Sequence, residues 1–445
     1  MTNNHILERL DVLIKQAQAH GADAADAVYY ESASESVTFR QGKFENAERS
    51  ESKDMGLRVM IGQQQASAST TDLSNENLDV LAERVVNMAR LAPEDPHIGL
   101  AAADQLAKTW PDTDSFDPDM PSSDVLRQRA LAVEAAALDV KGITNSEGGS
   151  ASHNQIQFGL QTTNGFSAIL RGTNQSISAV VLAGTGTGME RGYDYASAAY
   201  GSDLPNEASI GAKAAEQTLR QLNPRKAESQ TVPIVFEPRQ AGSLLGHLSG
   251  AINGSSIARG TSFLKDKMGH KLFRDGVTVT DDPHRRRGLA SLAFDAEGLP
   301  NKAINLIEDG RLTQWVLDLR TARQLGLKSN ARARRGVGAP SPGITNLHLH
   351  AGAEEPEALI KDIKSGLLVT SMFGPQVNSN TGDYSCGVAG QWVENGEVVY
   401  PVSEITIAGN LLEMFAQLTP ASDLSFRDSV NSPTVRIDAM TIAGV

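Results

Sequence analysis

Residues 237–264 read EPRQAGSLLGHLSGAINGSSIARGTSFL, and this stretch organises the rest of the chain. On a helical wheel from Arg239 to Asn253, Leu244, Leu245, Leu248, Ala251 and Ile252 fall together on one face, the spacing of an amphipathic helix. Glycines at 242, 246, 250 and 254 lie on the other side, one every four residues. A mid-helix glycine costs about 1 kcal/mol relative to alanine, so three interior ones forgo about 3 kcal/mol of helix propensity. Close approach by another backbone is the expected compensation, because glycine has no Cβ. A lipid-embedded helix of this kind needs about 20 apolar residues, whereas this run carries His, Ser, Asn and Arg. The stripe is therefore a tight packing seam in a soluble protein, or the floor of a groove that admits a peptide. His247 lies beside it, one turn from Ser243.

Further blocks follow: RGLASLAFDAEGLP, IEDGRLTQWVLDLRTARQLGLKSNARARRG and TGDYSCGVAGQWVENGEVVYPVSEITIAGNL. Together with the helix they cover most of 237–415, and in them the chain resembles the TldD/PmbA family, in its PmbA (TldE) branch. In the TldD branch the corresponding helix carries an HExxxH motif that binds zinc and supplies a general-base glutamate. Aligned on His247, this chain has Gly242 in place of the first His and Ser243 in place of the Glu, and only the last His survives. A catalytic zinc takes about three protein ligands plus a water, and a base to accept that water's proton. The TldD branch draws a Cys ligand from near its C-terminus, and the matching segment Asp428–Pro433 has no Cys. The resemblance thus implies a chain with no catalytic residue, metal or cofactor of its own, and a TldD-like partner that holds the zinc.

The same resemblance implies a dimer enclosing a shared cavity, in which short unfolded peptides are cleaved while presented as an added strand, a largely sequence-independent mode. Gly246, His247, Gly250, Arg259, Asp383 and Tyr384 are the candidates for lining that cavity. The partner is a TldD-like chain in a heterodimer, or a second copy in a homodimer. Two alternatives stand beside this. One is a self-sufficient metallopeptidase using scattered ligands such as His247, His284, His348 and His350. The other is a homodimeric regulatory protein linked to DNA gyrase, for which the family was also named, or to a toxin–antitoxin partner.

The chain has 445 residues, enough for two cores. Its balance is that of a soluble protein, 40% hydrophobic and 21% charged, and aromatics at 5% predict aliphatic cores. A net charge of −13 argues against direct nucleic-acid binding. The single cysteine excludes an intrachain disulfide and suits a reducing cytosol. The N-terminus has charges at Glu8, Arg9, Asp11 and Lys15 and no apolar core, so neither a signal peptide nor a membrane span is expected. A cytoplasmic location follows.

The pattern predicts an α+β fold in two domains, 1–225 and 226–445, with helices packed on antiparallel and mixed sheets. Residues 5–20 form an amphipathic helix, and 27–70 three or four short strands with turns at Gly42, Asp54–Gly56 and Gly62. Asp72–Ala92 is a helix with Ser74 as N-cap. Residues 93–121 hold five prolines and form a surface connection. Asp112, Asp114, Asp117 and Asp119 invite a calcium reading, but the template's central Gly and terminal Glu are missing. Ser122–Val140 is a helix. Residues 142–188 alternate as several strands joined at Glu147–Gly149, Asn164-Gly165 and Gly172–Asn174. Gly184–Gly188 lacks the residues of a nucleotide loop.

Leu204–Leu222 is a helix, and Thr231–Phe236 a buried strand leading into the central helix. Asp309-Gly310 and Asn395-Gly396 mark hairpins. Arg332, Arg334 and Arg335 form the one basic cluster, in a solvated mobile loop or in a lid or docking loop. His348 and His350 alternate on a strand and face one side. Pro356–Ser365 reads as a helix and Leu367–Phe373 as a strand, and the tail 434–445 reads as an edge or interface strand. Cys386 reads as a small buried hydrophobe.

Overall fold

The computed structural model describes residues 3–444. Helix α1 (Asn3–Ala19) is followed by three long strands, β1 (Ala24–Arg40), β2 (Lys43–Ile61) and β3 (Gln64–Thr70), then helix α2 (Asn75–Leu91). Helix α3 (Ser123–Leu138) leads to β4 (Ile143–Thr162), β5 (Ser167–Ala183), β6 (Glu190–Ala198) and helix α4 (Glu207–Leu219). The six strands form one antiparallel sheet in the order β3-β2-β1-β4-β5-β6. Alternate residues of a strand share a face. Ala25, Ala27, Tyr29 and Val37 of β1 all point to the helical side. There α1 and α2 cover one end of the sheet and α3 and α4 the other. Ser74 and Ser122 accept from the third residue of their helices as N-caps.

Three predicted turns are not turns. Gly56 lies inside β2, where a Cβ would stand 2.0 Å from the Val337 carbonyl oxygen, so glycine admits a backbone from the other half. Ser146–Gly148 is a bulge in β4, and Gly172–Asn174 runs through β5. Both stretches stay in the ladder because their neighbours pair on either side.

The second half opens with β7 (Gln230–Phe236), which feeds α5 (Pro238–Ala251) and the short α6 (Gly254–Ala258). Strands β8 (Ser365–Val377), β9 (Asp383–Glu394), β10 (Glu397–Asn410) and β11 (Val435–Ala443) join β7 in its main sheet, and the short strands Val279–Asp281, Ile304–Glu308, Arg311–Leu312, Leu347–Leu349 and Val430–Asn431 form a second one. In the main sheet β7 and β8 are parallel over three residues, and the remaining neighbours are antiparallel. β11 also pairs with β10 through residues 441–443, so the five strands close on themselves. The tail is therefore an interior strand and not an edge, because closure gives it a neighbour on both sides. Pro356–Ser365 is a series of turns running into β8 rather than a helix.

Ile234, Phe236, Leu367, Val388, Ile407 and Ile437 fill one core with the apolar stripe of α5. Helices on antiparallel and mixed sheets make this an α+β fold, as the pattern predicts.

The halves meet through the sheet face opposite the helices. Phe166 of the first half packs edge-on to Phe294 of the second at 4.9 Å, with Val28 and Leu160 in the same cluster. Arg332 and Arg335 are not solvated, and this corrects the loop expectation. The Arg332 guanidinium is fully buried on Asp281 at 2.5 Å, and Arg335 crosses to Asp26 of β1 at 2.6 Å, where Arg58 also binds. Burial pushes the Asp26 carboxyl up, but Arg335 and Arg58 more than offset it and hold it low.

Candidate functional site around helix α5

β7 runs straight into α5, with Glu237 as N-cap residue and Pro238 in the first turn, where a missing N–H costs nothing. Arg220, the C-cap residue of α4, holds the Glu237 carboxylate at 2.9 Å. Leu244, Leu245, Leu248, Ala251 and Ile252 are buried as the wheel predicts. The glycine face departs from one of its two expectations. A Cβ on Gly242 would meet only the Val430 carbonyl, at 3.5 Å, and on Gly246 or Gly250 it would meet nothing within 4 Å. Only Gly254, beyond the end of α5, is tightly packed, with Thr321 Oγ1 at 2.6 Å and the Val316 carbonyl at 2.8 Å from the Cβ position. Within this chain the stripe is thus an open floor and not a closed seam.

His247 stands on that floor. Its ring meets Tyr384 of β9 edge-on at 5.7 Å. His247 Nε2 and Tyr384 Oη are both buried and have no hydrogen-bond partner among the described residues. Unmade hydrogen bonds of buried groups are costly, so such pairs call for an explanation. Burial lowers the His247 pKa, which keeps the ring neutral at pH 7, and burial raises the Tyr384 phenol. Ser243 Oγ donates to the Gln240 carbonyl at 2.7 Å, within its own helix, and sits 3.7 Å from Met372 Sδ of β8. Cys386 is buried two residues beyond Tyr384, as a small hydrophobe.

The structure brings His247 and Tyr384 together beside Ser243, Gly246 and Gly250 of α5, and it leaves Arg259 and Asp383 exposed. Arg259 is exposed at the C-cap of α6. Asp383 is exposed and accepts from Thr381 Oγ1 at 2.6 Å and Asn410 Nδ2 at 3.1 Å, which hold its carboxyl below the usual range.

Beside α5 runs a strand with one side free. β8 pairs with β7 only over Leu367–Val369. Past that point Gln240 Nε2 takes the Thr370 carbonyl at 2.9 Å, and Phe373 is 61% exposed.

The segment Asp428–Pro433 also reaches this helix. Its Val430 carbonyl is the atom that faces Gly242, and Asn431 clamps the turn by accepting from the Arg427 and Asp428 N–H groups. Between this segment, α4 and the first turn of α5 lies a cavity of about 460 Å³. Arg239 projects there, ion-paired with the fully buried Asp194 and stacked 4.6 Å above the Tyr195 ring. Tyr195 in turn donates to Asp428 at 3.1 Å, and burial together with that carboxylate pushes its phenol up to about 12. Sequence spacing gave no signal of this Arg239–Tyr195–Asp428 chain, because its members come from three distant segments.

Among the described residues no three His, Cys, Asp or Glu side chains stand together where they could hold a metal ion. His284 is engaged by Asn301 at 2.7 Å and His350 by Thr280 at 2.8 Å. His348 and His350 share one face as predicted, stacked at 5.1 Å, and converge with neither His247 nor His284 on a common centre. The loop aspartates are likewise engaged, Asp114 by Arg287 and Tyr200, and Asp117 by the Gly201 N–H. Among the described residues no helix is long and apolar enough to cross a membrane.

Residues 25–89, 116–222 and 229–444 match the models for domain 1, the central domain and the C-terminal domain of PmbA/TldA metallopeptidases. The chain is 38% identical to the metalloprotease PmbA of Escherichia coli O157:H7 over 95% of its length and 93% of that protein. A crystal structure from Bacteroides thetaiotaomicron, named as a modulator of DNA gyrase, superposes with a TM-score of 0.92 at 26% identity, covering all of both chains. TldE from Thermococcus kodakarensis shares the fold, with a TM-score of 0.86 at 20% identity over 98% of this chain and all of that one.

Proposed function

The chain belongs to the PmbA/TldA metallopeptidase family, and from that premise we propose that it is the zinc-free subunit of a two-chain peptidase for short unfolded peptides in the cytoplasm. A TldD-like partner would hold the zinc, whose chemistry when bound is to activate water for attack, and would supply the base for that water's proton. This chain supplies the wall on which the peptide lies.

One observation carries the proposal. The GSLLGH turn of α5 keeps its surviving histidine but has Gly242 and Ser243 where a ligand and a base would be, and Gly246 and Gly250 leave the helix face bare beside a free strand edge. An extended peptide added to β8 beyond Val369 lies over that bare face. A backbone-paired ligand of this kind needs close approach more than side-chain pockets, which suits a substrate defined by being unfolded. His247 Nε2 and Tyr384 Oη then gain the partners they lack in the single chain.

The test is to purify this chain and the TldD-like protein of the same cell separately and digest an unfolded peptide. Each alone is inert, the mixture cleaves, and a chelator abolishes cleavage. Chelator-sensitive cleavage by this chain alone would sink the proposal.

A further inference from the structure

The outer half of β2 is a free strand edge. β1 pairs with β2 along its whole length, but β3 covers only Met55–Ile61. Residues 43–53, KFENAERSESK, are exposed at every position and present an uncovered row of backbone donors and acceptors. Long free edges are aggregation hazards that proteins usually blunt with charge. Charge is present here, in a particular order.

In an antiparallel pair, directly opposite residues point their backbone groups the same way, so two copies related by a twofold axis centre on a residue and not between residues. Centred on Ala47, Lys43 lies opposite Glu51 of the other copy and Glu45 opposite Arg49, each twice by symmetry, with no like charges opposed. Shifting the centre to Asn46 opposes Lys43 to Arg49. Shifting it to Glu48 opposes Lys43 to Lys53, Glu45 to Glu51 and Glu48 to itself. In the single chain Arg49 is ion-paired with its own neighbour Glu51, at 2.7 Å, and stands opposite Glu35 of β1.

We propose that this edge is an interaction surface for a second copy of the same chain, joined antiparallel about Ala47 into one continuous sheet across the pair. The proposal does not rest on the subunit assignment above. No hydrogen bond or ion pair described joins residues 43–53 to the second half, so the α5 groove stays free, and cleavage on mixing and pairing at β2 succeed or fail separately.

The full chain is suited to a cysteine test, because its one native thiol, Cys386, is buried. Ala47→Cys puts a thiol on the axis opposite its own copy, and mild oxidation should give a covalent dimer. Ser52→Cys should give none, since the two thiols lie ten residues apart in register, about 33 Å along the strands. By sedimentation equilibrium, Arg49→Glu should weaken self-association about tenfold or more, through two new like-charge oppositions. Adding Glu45→Arg to Arg49→Glu should restore it. A wild-type chain that stays monomeric at tens of micromolar overturns the proposal, as does equal cross-linking at 47 and 52 or failure of the double reversal. Cross-linking at 47 that appears only when a TldD-like chain is added would assign the edge to that chain, and overturns it too.

Discussion

Gly246 and Gly254 sit two turns apart and carry opposite expectations. Nothing lies within 4 Å of a Cβ at Gly246 or Gly250, so replacing both with alanine should add about 1–2 kcal/mol of helix stability. Gly254→Ala should destabilise the fold, because its Cβ meets Thr321 Oγ1 and the Val316 carbonyl well inside contact distance. Chemical denaturation separates the two. A loss of stability in the Gly246/Gly250 double variant would mean the stripe is a seam after all. The four-residue glycine spacing was legible in the sequence, but its meaning was not, since spacing says which positions lack a side chain and not what stands opposite. The same limit hid the His247–Tyr384 contact, which depends on where β9 passes α5.

Among elements, the least legible was the arginine cluster. Composition makes Arg332 and Arg335 look like a solvated loop, yet both guanidinium groups are buried, because Asp281 and Asp26 wait for them in strands that sequence proximity does not connect. Asp26 neutralises two arginines from different halves, Arg58 and Arg335. Asp26→Asn should cost about 3–5 kcal/mol by leaving buried charge unmatched. The measurement is the midpoint of urea unfolding, and a change below 1 kcal/mol would show the bridge to be incidental. Local signals did better. The Ser74 cap and the Asp309-Gly310 and Asn395-Gly396 hairpins needed only neighbours in the chain. Gly56 was misleading because a glycine that admits a neighbouring backbone looks, in sequence, like one that turns.

At the scale of the molecule, the contact between halves also sets a pH response. Asp295 and Glu297 are buried close together, and burial followed by mutual repulsion raises Glu297 well above the usual carboxylate range. The folded chain therefore holds a proton that the unfolded chain releases. The stability this contributes is full below the ordinary carboxylate pKa and is lost as pH rises through that value toward the raised one. Melting temperature should fall across this window in the wild type. Glu297→Gln, which keeps an acceptor for the Leu319 N–H, should flatten the profile and melt higher on the alkaline side. A wild-type profile as flat as the variant's would contradict this.

The closure of the second half by β11 also bears on synthesis. β7 and the apolar stripe of α5 leave the ribosome some two hundred residues before the strand that completes their barrel. At translation rates of about 5–20 residues per second, the nascent chain carries that uncovered surface for roughly 10–40 s. The first half, whose sheet is complete by Ala198, can fold during that wait, while the core of the second stays open until its last strand arrives.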